Sequence, residues 1–302
     1  MKIVKRINKN FSFKDYFNKN NNFLWSGDSN KMLEKAKKEK FIDLLVTSPP
    51  YNIGKSYEQI KSIDEYFEEH KSFLEYVCNF LKPNASICYQ LGNYIDKNGS
   101  IYPLDYGFHK IFEQLGFKLK NRIVWHFGHG FHARKRFSGR YEIICWYVKN
   151  DNYTFNLDNI RVKQKYPGKT FYRGPKKGKI SSNPLGMNPS DVWLDIPHVV
   201  GNHIEKTNHP CQFPIALIVR LIRALTNENE VVFDPYMGVG SAGAAANMEN
   251  RKFLGSDLDH SYVVTAKERI NNVLNGTIKY RPLSKPIFNH KLSPLSKNPK
   301  ED

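Results

Sequence analysis

The chain has 302 residues, enough for a sizeable core in one or two domains. Its 46 Lys and Arg residues against 29 Asp and Glu residues give a net charge of +17, which favours a polyanionic partner. No stretch approaches the ~18 consecutive apolar residues of a membrane-spanning helix, and the N-terminus lacks the apolar core of a signal peptide. We therefore expect a cytoplasmic protein. The four cysteines show no Cys-x-x-Cys spacing, so we expect them to be reduced and mainly buried rather than bound to zinc or paired as disulfides.

Apolar strands alternate with helices along the chain. The predicted strands span residues 41–47, 85–91, 117–125, 141–148, 231–234 and 252–257. The predicted helices span residues 63–80, 106–115, 214–226 and 242–248, and we expect helix 214–226 to be amphipathic with Pro214 in its first turn. Such alternation predicts an α/β doubly wound fold.

A proline-stiffened turn, Ser48-Pro49-Pro50-Tyr51, follows the first of these strands. Open α/β sheets bind their ligands at the carboxyl ends of strands. The two prolines fix φ and remove two N–H donors, which leaves the carbonyls of Ser48 and Pro49 as acceptors. With the Ser48 hydroxyl and the flat face of Tyr51, the turn suits a planar heterocycle that carries an exocyclic amine. An ordinary proline-rich turn is the alternative.

A glycine turn lies between a strand and a helix in the second half of the chain, over Asp234-Pro235-Tyr-Met-Gly238-Val-Gly240-Ser241. The two glycines let the backbone approach a ligand closely, and the helix that follows directs its N–H groups at that ligand. The turn is not the Gly-x-Gly-x-x-Gly dinucleotide pattern.

Three further segments accompany the two turns. Asp257 ends the next strand, about 20 residues after the glycine turn, where a carboxylate can hold two ribose hydroxyls. Gly27-Asp28 precedes the proline turn, and His209-Pro-Cys-Gln-Phe213-Pro precedes an apolar helix.

Together these segments resemble the motifs of the amino-group DNA methyltransferases, which act on cytosine N4 or adenine N6. The five matches keep one order from residue 25 to about residue 270. The catalytic motif comes first, as in the β group of this family, in which the target-recognition segment lies between the two halves. The resemblance implies a Rossmann-like methyltransferase fold that depends on S-adenosylmethionine and carries an inserted target-recognition segment.

The resemblance divides the chain into four parts. They are the catalytic half (1–149), the target-recognition insertion (150–205), the cofactor-binding half (206–278) and a basic, Pro-rich tail (279–302), which we expect to be extended or disordered.

The resemblance also assigns roles on the cofactor side. Asp28 is implied at the adenine edge, Asp257 at the ribose hydroxyls, and the 234–241 turn at the methionine part. The implied cofactor-binding residues are Asp28, His209, Phe213, Asp234, Pro235, Gly238, Gly240, Ser241 and Asp257.

The implied substrate is a base in double-stranded DNA that is rotated out of the helix. Hydrogen bonds from its amine to Ser48 Oγ and the Pro49 carbonyl would stabilise the developing positive charge, Tyr51 would stack on the base, and the methyl group would transfer directly. A serine at position 48 resembles the cytosine-N4 enzymes, whereas adenine-N6 enzymes mostly carry Asp or Asn there. Adenine N6 stays the alternative, with a catalytically inactive nucleic-acid-binding protein of the same fold as a different class. RNA and a protein glutamine amide are further conceivable substrates.

Pro210-Cys211 imitates the nucleophile of the C5-cytosine methyltransferases. Cys211 precedes the glycine turn, however, whereas those enzymes place their cysteine after the cofactor loop. We therefore expect Cys211 to be a small residue that packs beside the cofactor.

Two acid-free basic tracts predict the DNA surface. Residues 118–140 contain seven Lys and Arg, and residues 159–190 contain eight. A solvated charged loop is the alternative for each tract. The candidate DNA contacts are Arg134, Lys135, Arg136, Arg140, Lys169, Arg173, Lys176 and Lys177.

Three histidines at three-residue spacing, His126, His129 and His132, could indicate a metal site. We expect no metal there, because no further ligand cluster accompanies them and amine methylation needs no metal. The resemblance also allows a restriction endonuclease with the same recognition site as a partner. The sequence does not indicate the oligomeric state or the recognition sequence.

Overall fold

The computed structural model describes residues 1–55, 59–128, 130, 132–289, 292–293 and 296. The strands within these residues are β1 (Ile3–Val4), β2 (Asn22–Ser26), β3 (Ile42–Thr47), β4 (Leu81–Leu91), β5 (Asn93–Ile95), β6 (Ile101–Pro103), β7 (Lys118–His126), β8 (Tyr141–Val148), β9 (Val192–Trp193), β10 (Val231–Asp234) and β11 (Lys252–Asp257). The helices are α1 (Phe13–Lys19), α2 (Ser29–Glu34), α3 (Ile63–Val77), α4 (Leu104–Gln114), α5 (Ile215–Leu225), α6 (Ser241–Met248) and α7 (His260–Leu274). None of the helices in this part of the chain is long and apolar enough to cross a membrane.

Nine of these strands form one mixed sheet in the order β1-β2-β11-β10-β3-β4-β8-β7-β9. The strands from β1 to β4 in this order pair in parallel, and β8 pairs antiparallel with both β4 and β7. β5 and β6 form a separate antiparallel pair. The α/β doubly wound fold predicted from the sequence is thereby confirmed.

Both faces of the sheet are covered, which explains why β3 is buried along its whole length. Successive side chains of a strand point to opposite faces. Leu45 accordingly packs in the cluster that contains Phe73 of α3, whereas Leu44 packs in the cluster that contains Ile218 of α5.

The end of one helix differs from the sequence prediction. The helix predicted for 63–80 ends at Val77, and β4 begins at Leu81. The chain turns between them, and the Phe80 carbonyl accepts hydrogen bonds from the N–H groups of Phe41 and Ile42, at 2.9 and 3.0 Å.

Helix α5 is amphipathic, as the sequence predicts for residues 214–226. Ten of the eleven residues of α5 are buried, including Arg220. The Arg220 guanidinium donates to Asp195, with Nη1 3.0 Å from Oδ1, and it lies 4.8 Å from the centre of the Trp193 ring. The side of the helix that carries Arg220 is therefore covered by protein as well.

That cover comes from the C-terminal end of the predicted insertion. The sequence favoured an irregular segment outside the core sheet for residues 150–205. Val192–Trp193 instead joins the sheet as β9, parallel to β7, and Ile196 and Val199 are buried. Trp193, Ile196 and Val199 thus belong to the core, and the most exposed part of the segment precedes them.

The beginning of the tail is also packed, contrary to the expectation of an extended or disordered segment from residue 279. Arg281 is buried; its backbone N–H donates to Glu205 Oε1 at 3.1 Å, and its guanidinium donates to the Asp195 carbonyl at 3.3 Å. Much of the tail beyond residue 289 lies outside the described residues.

Candidate active site

Polar side chains gather at the carboxyl edge of the parallel strands. Asp28 follows β2, Asp257 ends β11, Asp234 ends β10, Ser48 follows β3, and Gln90 lies near the end of β4. These five strands are consecutive neighbours in the sheet. The two turns predicted from the sequence therefore lie along one edge, where ligands of open α/β sheets bind.

The proline turn is held rigidly above β3. The Tyr66 hydroxyl of α3 donates to the Pro50 carbonyl at 2.7 Å. The Tyr51 ring lies against the backbone at Gly92, where an added Cβ would approach a ring carbon to 2.8 Å. Ser48 Oγ lies 3.0 Å from the Tyr51 hydroxyl. The hydroxyls of Ser48 and Tyr51 thus form one polar unit, in addition to the flat face that the sequence suggested for Tyr51.

A carboxylate that the sequence reasoning missed completes this unit. Glu142, at the start of β8, has Oε2 3.3 Å from the Tyr51 hydroxyl. Gln90 Nε2 donates to the same oxygen at 2.6 Å. Burial raises the pKa of the Glu142 carboxyl above its ordinary value, and burial also raises the pKa of the Tyr51 phenol. The available signal was a single acid at the start of an otherwise apolar strand.

Asp234 is fully buried at the end of β10. Its Oδ1 accepts from Thr47 Oγ1 at 2.6 Å and from the Tyr236 N–H at 3.2 Å. Its Oδ2 is buried without a hydrogen-bond partner among the described residues. Burial raises the pKa of Asp234 to about 7. A buried carboxylate oxygen in this condition provides an acceptor for a cationic ligand group.

The glycine turn folds over the end of β11. Gly238 and Gly240 have φ angles of 49° and 74°, in the left-handed region that favours glycine. A Cβ at Gly240 would lie 2.6 Å from the Cβ of Ala266. The Gly238 N–H donates to Asp257 Oδ2 at 2.9 Å, and Ser256 Oγ donates to the Pro235 carbonyl at 2.9 Å.

Asp257 has both carboxylate oxygens engaged by the backbone, since its Oδ1 accepts from the Asp259 N–H at 2.9 Å. Burial raises its pKa to about 6. Each carboxylate oxygen has a second lone pair, so the side chain can still accept from two ribose hydroxyls. Asp28 is adjacent, because the Gly27 N–H donates to the Asp257 carbonyl at 2.8 Å. The Asp28 side chain caps α2 by accepting from the Asn30 N–H at 2.8 Å.

His209 covers the glycine turn. A Cβ at Gly238 would approach His209 Nε2 to 3.2 Å, and the imidazole meets the Tyr262 ring edge-on at 4.7 Å. Burial lowers its pKa to about 4, so the ring is neutral at pH 7. Its Nδ1 accepts from the Cys211 N–H at 3.1 Å.

Phe213 and Ser241 connect α5 to α6. The Ser241 hydroxyl donates to the Phe213 carbonyl at 2.9 Å and accepts from Arg269 Nη1 at 3.1 Å. Both residues are buried, so the serine hydroxyl already has protein partners. Their assignment to cofactor binding stays a prediction.

The carboxyl edge fits the cofactor that the sequence resemblance implies. S-adenosylmethionine carries an ammonium, a sulfonium and a ribose with two hydroxyls. Asp234 offers an unpartnered buried acceptor for the ammonium, and Asp257 offers acceptors for the ribose. The left-handed turn at Gly238 and Gly240 carries no Cβ, so its backbone can approach a ligand closely.

The candidate DNA contacts lie on two irregular segments. One joins β7 to β8, and the other runs over 162–187, where two isolated antiparallel bridges join Val162 to Met187 and Thr170 to Ile180. The exposed candidates are Arg134, Lys135, Arg136, Lys169, Arg173, Lys176 and Lys177. Arg140 is half-buried and donates to the Gly139 carbonyl at 2.8 Å. Exposed aromatic rings accompany the cations, and the Arg173 guanidinium lies 5.6 Å from the centre of the Tyr172 ring.

Three cations of the two basic tracts are paired with acids outside the tracts, and their roles are partly structural. Arg122 binds Asp105 at 2.6 Å, Arg161 binds Asp158 at 2.6 Å, and Lys118 lies 3.6 Å from Asp151.

Cys211 is exposed, and its packing beside the cofactor stays a prediction. Cys88 and Cys145 are buried, and Cys78 is half-buried. Within the described residues, no group of three His, Cys, Asp or Glu side chains has a geometry that could hold a metal ion. His129 lies outside those residues.

The chain is similar to a family of known proteins. The family model described as DNA methylase, of the N6/N4 type, matches residues 42–268. The type II methyltransferase M.BglII from Bacillus subtilis is 43% identical over 242 residues, which cover 80% of this chain and 67% of the relative. The DNA adenine methyltransferase YhdJ from Escherichia coli K12 is 32% identical over 251 residues, which cover 81% of each chain.

Among solved structures, a DNA modification methylase from Thermus thermophilus, complexed with S-adenosyl-L-methionine, superimposes with a TM-score of 0.60 at 25% identity. The match covers 86% of this chain and 98% of that one. With the family model matched over most of its length, the chain belongs to the DNA methylase family of N6/N4 amino-methyltransferases.

Proposed function

We propose that the protein transfers a methyl group from S-adenosylmethionine to the exocyclic N4 amine of cytosine in double-stranded DNA, at a specific site. The observation that carries the proposal is the position of the Ser48 hydroxyl at the carboxyl edge, directly after Thr47, whose hydroxyl donates to Asp234 at 2.6 Å. The other oxygen of Asp234 is buried and has no hydrogen-bond partner among the described residues. The Thermus relative is described with the same cofactor.

One group of residues along the edge would bind the cofactor, and a second group, at the proline turn, would bind the target base. Asp234 would hold the methionine ammonium, Asp257 the ribose hydroxyls, and Asp28 the adenine edge. The sulfonium of the bound cofactor supplies an electrophilic methyl group. Exclusion of water by the turn over Asp234 would strengthen each of these charge interactions, because the local dielectric is low.

The target base would lie against the proline turn. Its amine lone pair is delocalised into the ring, so the nitrogen is a poor nucleophile. A hydrogen bond from the amine to Ser48 Oγ, with a second to the Pro49 carbonyl, would favour tetrahedral nitrogen and stabilise its positive charge. The rigid turn fixes these acceptors before the base arrives, and alignment of the two reactants supplies much of the rate.

Cytosine is preferred because position 48 is a serine. The N6 amine of adenine is the second candidate, and the relative from Escherichia coli, whose name states adenine, favours it. Both bases present a similar amine, so the choice depends on the shape of the pocket.

The basic segments around 134–140 and 162–187 would bind the DNA backbone. Phosphate contacts position the protein, while contacts to base edges specify the sequence. The exposed cations are mainly suited to the first task, and the segment 150–190 would carry sequence choice. A restriction endonuclease that recognises the same site would be a partner in a bacterial or archaeal cytoplasm.

Expression of the protein in a bacterial host that lacks its own amino-methyltransferases tests the proposal. Sequencing of the host DNA, by a method that separates N4-methylcytosine from N6-methyladenine, should reveal N4-methylcytosine within one short motif. A host that expresses the Ser48→Ala variant is the matched control. Unmodified DNA from the host with the unaltered protein would contradict the proposal.

A further inference from the structure

A chain of hydrogen bonds runs from the proline turn into the protein. It connects Ser48 Oγ with the Tyr51 hydroxyl at 3.0 Å, and the Tyr51 hydroxyl with Glu142 Oε2 at 3.3 Å. Gln90 Nε2 fixes the same carboxylate oxygen at 2.6 Å. The residues come from the end of β3, the end of β4 and the start of β8, which are adjacent in the sheet.

The chemistry of the groups gives this chain a direction. The Tyr51 hydroxyl faces two groups that only accept when Glu142 is ionised, Glu142 Oε2 at 3.3 Å and the Gln90 carbonyl at 3.4 Å. The charged carboxylate is the stronger acceptor, so the Tyr51 O–H donates to Glu142. The phenol oxygen then accepts from the Ser48 O–H. Ser48 Oγ in turn presents its lone pairs outward, where the target amine would arrive.

Transfer of the methyl group leaves the amine nitrogen positively charged, so the nitrogen must lose a proton. A serine hydroxyl accepts a proton efficiently only if it passes its own proton on. In the enzymes that carry Asp in place of Ser48, a carboxylate would stand at this position itself. Here the carboxylate lies two hydroxyl groups further from the substrate.

We propose that Glu142 is a positioning residue that orients the Ser48 and Tyr51 hydroxyls and receives, through them, the proton that leaves the target amine. This inference rests on the proposed function. As the N–CH₃ bond forms, the C–S bond breaks and its electron pair passes to sulfur. The amine proton passes to Ser48 Oγ, the Ser48 proton to the Tyr51 oxygen, and the Tyr51 proton to the Glu142 carboxylate.

The electrostatic surroundings agree with this role. Burial raises the pKa of Glu142, which makes its carboxylate a stronger base than an exposed glutamate. The other titratable groups that act on Tyr51 are the Tyr66 phenol of α3 and the Cys211 thiol of the segment before α5. Trp125, the partner of Glu142 on β7, carries no charge.

The first test measures single-turnover methyl transfer to unmodified phage DNA, with saturating radiolabelled S-adenosylmethionine, between pH 5 and 9. The unaltered enzyme should lose activity as pH falls through the raised pKa of Glu142, because the carboxylate must be ionised to accept a proton. Glu142→Gln should be slower by roughly 100-fold, the lower end of general-base effects, and should lack this acidic limb. Glu113→Gln, an exposed glutamate on α4, should match the unaltered enzyme.

Tyr51→Phe tests the connection independently, because it cuts the chain while it leaves Glu142 in place. It should remove the same acidic limb. The double variant should be no slower than the slower single variant, since groups that act as one unit are not additive. Wild-type rate and pH profile in Glu142→Gln or Tyr51→Phe, or additive losses in the double variant, would overturn the proposal.

A second measurement needs neither cofactor nor DNA. An ionised Glu142 costs stability in the folded state, because its folded pKa is raised, and Glu142→Gln removes this cost. The difference in Tm between Glu142→Gln and the unaltered protein should therefore grow as pH rises from 5 to 8. A pH-independent difference would contradict an ionising Glu142. Absence of methyl transfer by the unaltered enzyme would refute the proposed function instead, while this Tm measurement still judges Glu142.

Discussion

The carboxyl edge of the sheet and the basic segments differ in how the protein constrains them. At the edge, Asp234 is fully buried and the glycine turn is fixed by a hydrogen bond from the Gly238 N–H to the Asp257 carboxylate. On the basic segments, Tyr172 is 82% exposed and Lys176 and Lys177 extend into solvent. We therefore expect methyl transfer to depend on side chains whose positions the fold fixes before the ligands bind. DNA affinity should depend on exposed charges that need little preorganisation. Single substitutions at the edge should change rate or cofactor affinity sharply, and single substitutions on the basic segments should have graded effects.

Ser48→Ala should give the largest effect of those considered. It removes one preorganised acceptor for the amine, which typically costs ~2.7–4 kcal/mol of barrier, or roughly 100- to 1,000-fold in rate. Calorimetry should find the affinity for S-adenosylmethionine nearly unchanged, because the hydroxyl acts on the amine and not on the sulfonium. Near-normal turnover of the variant would remove the Ser48 hydroxyl from the mechanism.

Asp234→Asn should weaken the binding of S-adenosylmethionine while it stabilises the cofactor-free protein. Loss of the charge that faces the methionine ammonium should cost about 1.5–3 kcal/mol, or roughly 10- to 100-fold in cofactor affinity. The cofactor-free variant should nevertheless be more stable at pH 8, because the folded pKa of Asp234 is raised to about 7 and its ionisation there is unfavourable.

The stability gain of Asp234→Asn should shrink as pH falls from 8 to 5, since Asp234 is then protonated in the folded state. Thermal unfolding at several pH values, with calorimetry of cofactor binding, measures both effects. A destabilised variant at pH 8 with unchanged cofactor affinity would show that Asp234 is a structural hydrogen-bond acceptor only.

Asp257→Ala should weaken S-adenosylmethionine binding without abolishing DNA binding. The carboxylate holds the Gly238 N–H as well as the proposed ribose hydroxyls, so we expect a loss of about tenfold or more, near 1.5 kcal/mol. Calorimetry and a DNA mobility assay measure the two properties side by side. Unchanged cofactor affinity would refute the assignment of Asp257.

Neutralising Lys176 and Lys177 together should produce a smaller and graded change on the basic segments. Binding should weaken alike for all duplexes, and the dependence of log affinity on log salt should become shallower by up to about two units. Lys14 and Lys19 on α1, which precedes the amino end of β2, provide a matched pair of controls. Loss of affinity for the cognate site alone would identify these lysines as base readers.

Cys211→Ala should have the smallest effect and retain most activity. Amine methylation needs no thiolate, and the structure exposes this cysteine. DNA that contains 5-fluorocytosine should form no covalent adduct with the unaltered protein. An adduct that disappears in the alanine variant would indicate attack on the ring through cysteine, as in C5 methylation.

The sequence predicted the residues of this edge that belong to short local motifs. Ser48 and Asp257 stand directly after or at the end of strands, so their position at one edge follows from the parallel sheet. Glu142 could not be placed in the same way, because it lies 91 residues from Tyr51 and meets it only through the pairing of β8 with β4.

Two features of the packing that the sequence did not predict have the same cause. Helix α5 is amphipathic, as predicted, but Trp193 and Asp195 come from the segment before it and cover Arg220. Arg281 likewise packs beside Asp195 although the composition around it is typical of a disordered tail. Local composition predicts an element, whereas the elements that cover it come from distant parts of the chain.

The most direct test of the central claim is nucleoside analysis of duplex DNA methylated in vitro by the purified protein. Unmodified phage DNA would be incubated with S-adenosylmethionine carrying an isotopically labelled methyl group, digested to nucleosides and separated by liquid chromatography with mass spectrometry. The account predicts labelled N4-methyldeoxycytidine as the product, and its absence after reaction with Ser48→Ala. Label in N6-methyldeoxyadenosine would contradict the choice of cytosine, and label in 5-methyldeoxycytidine would contradict amine methylation altogether.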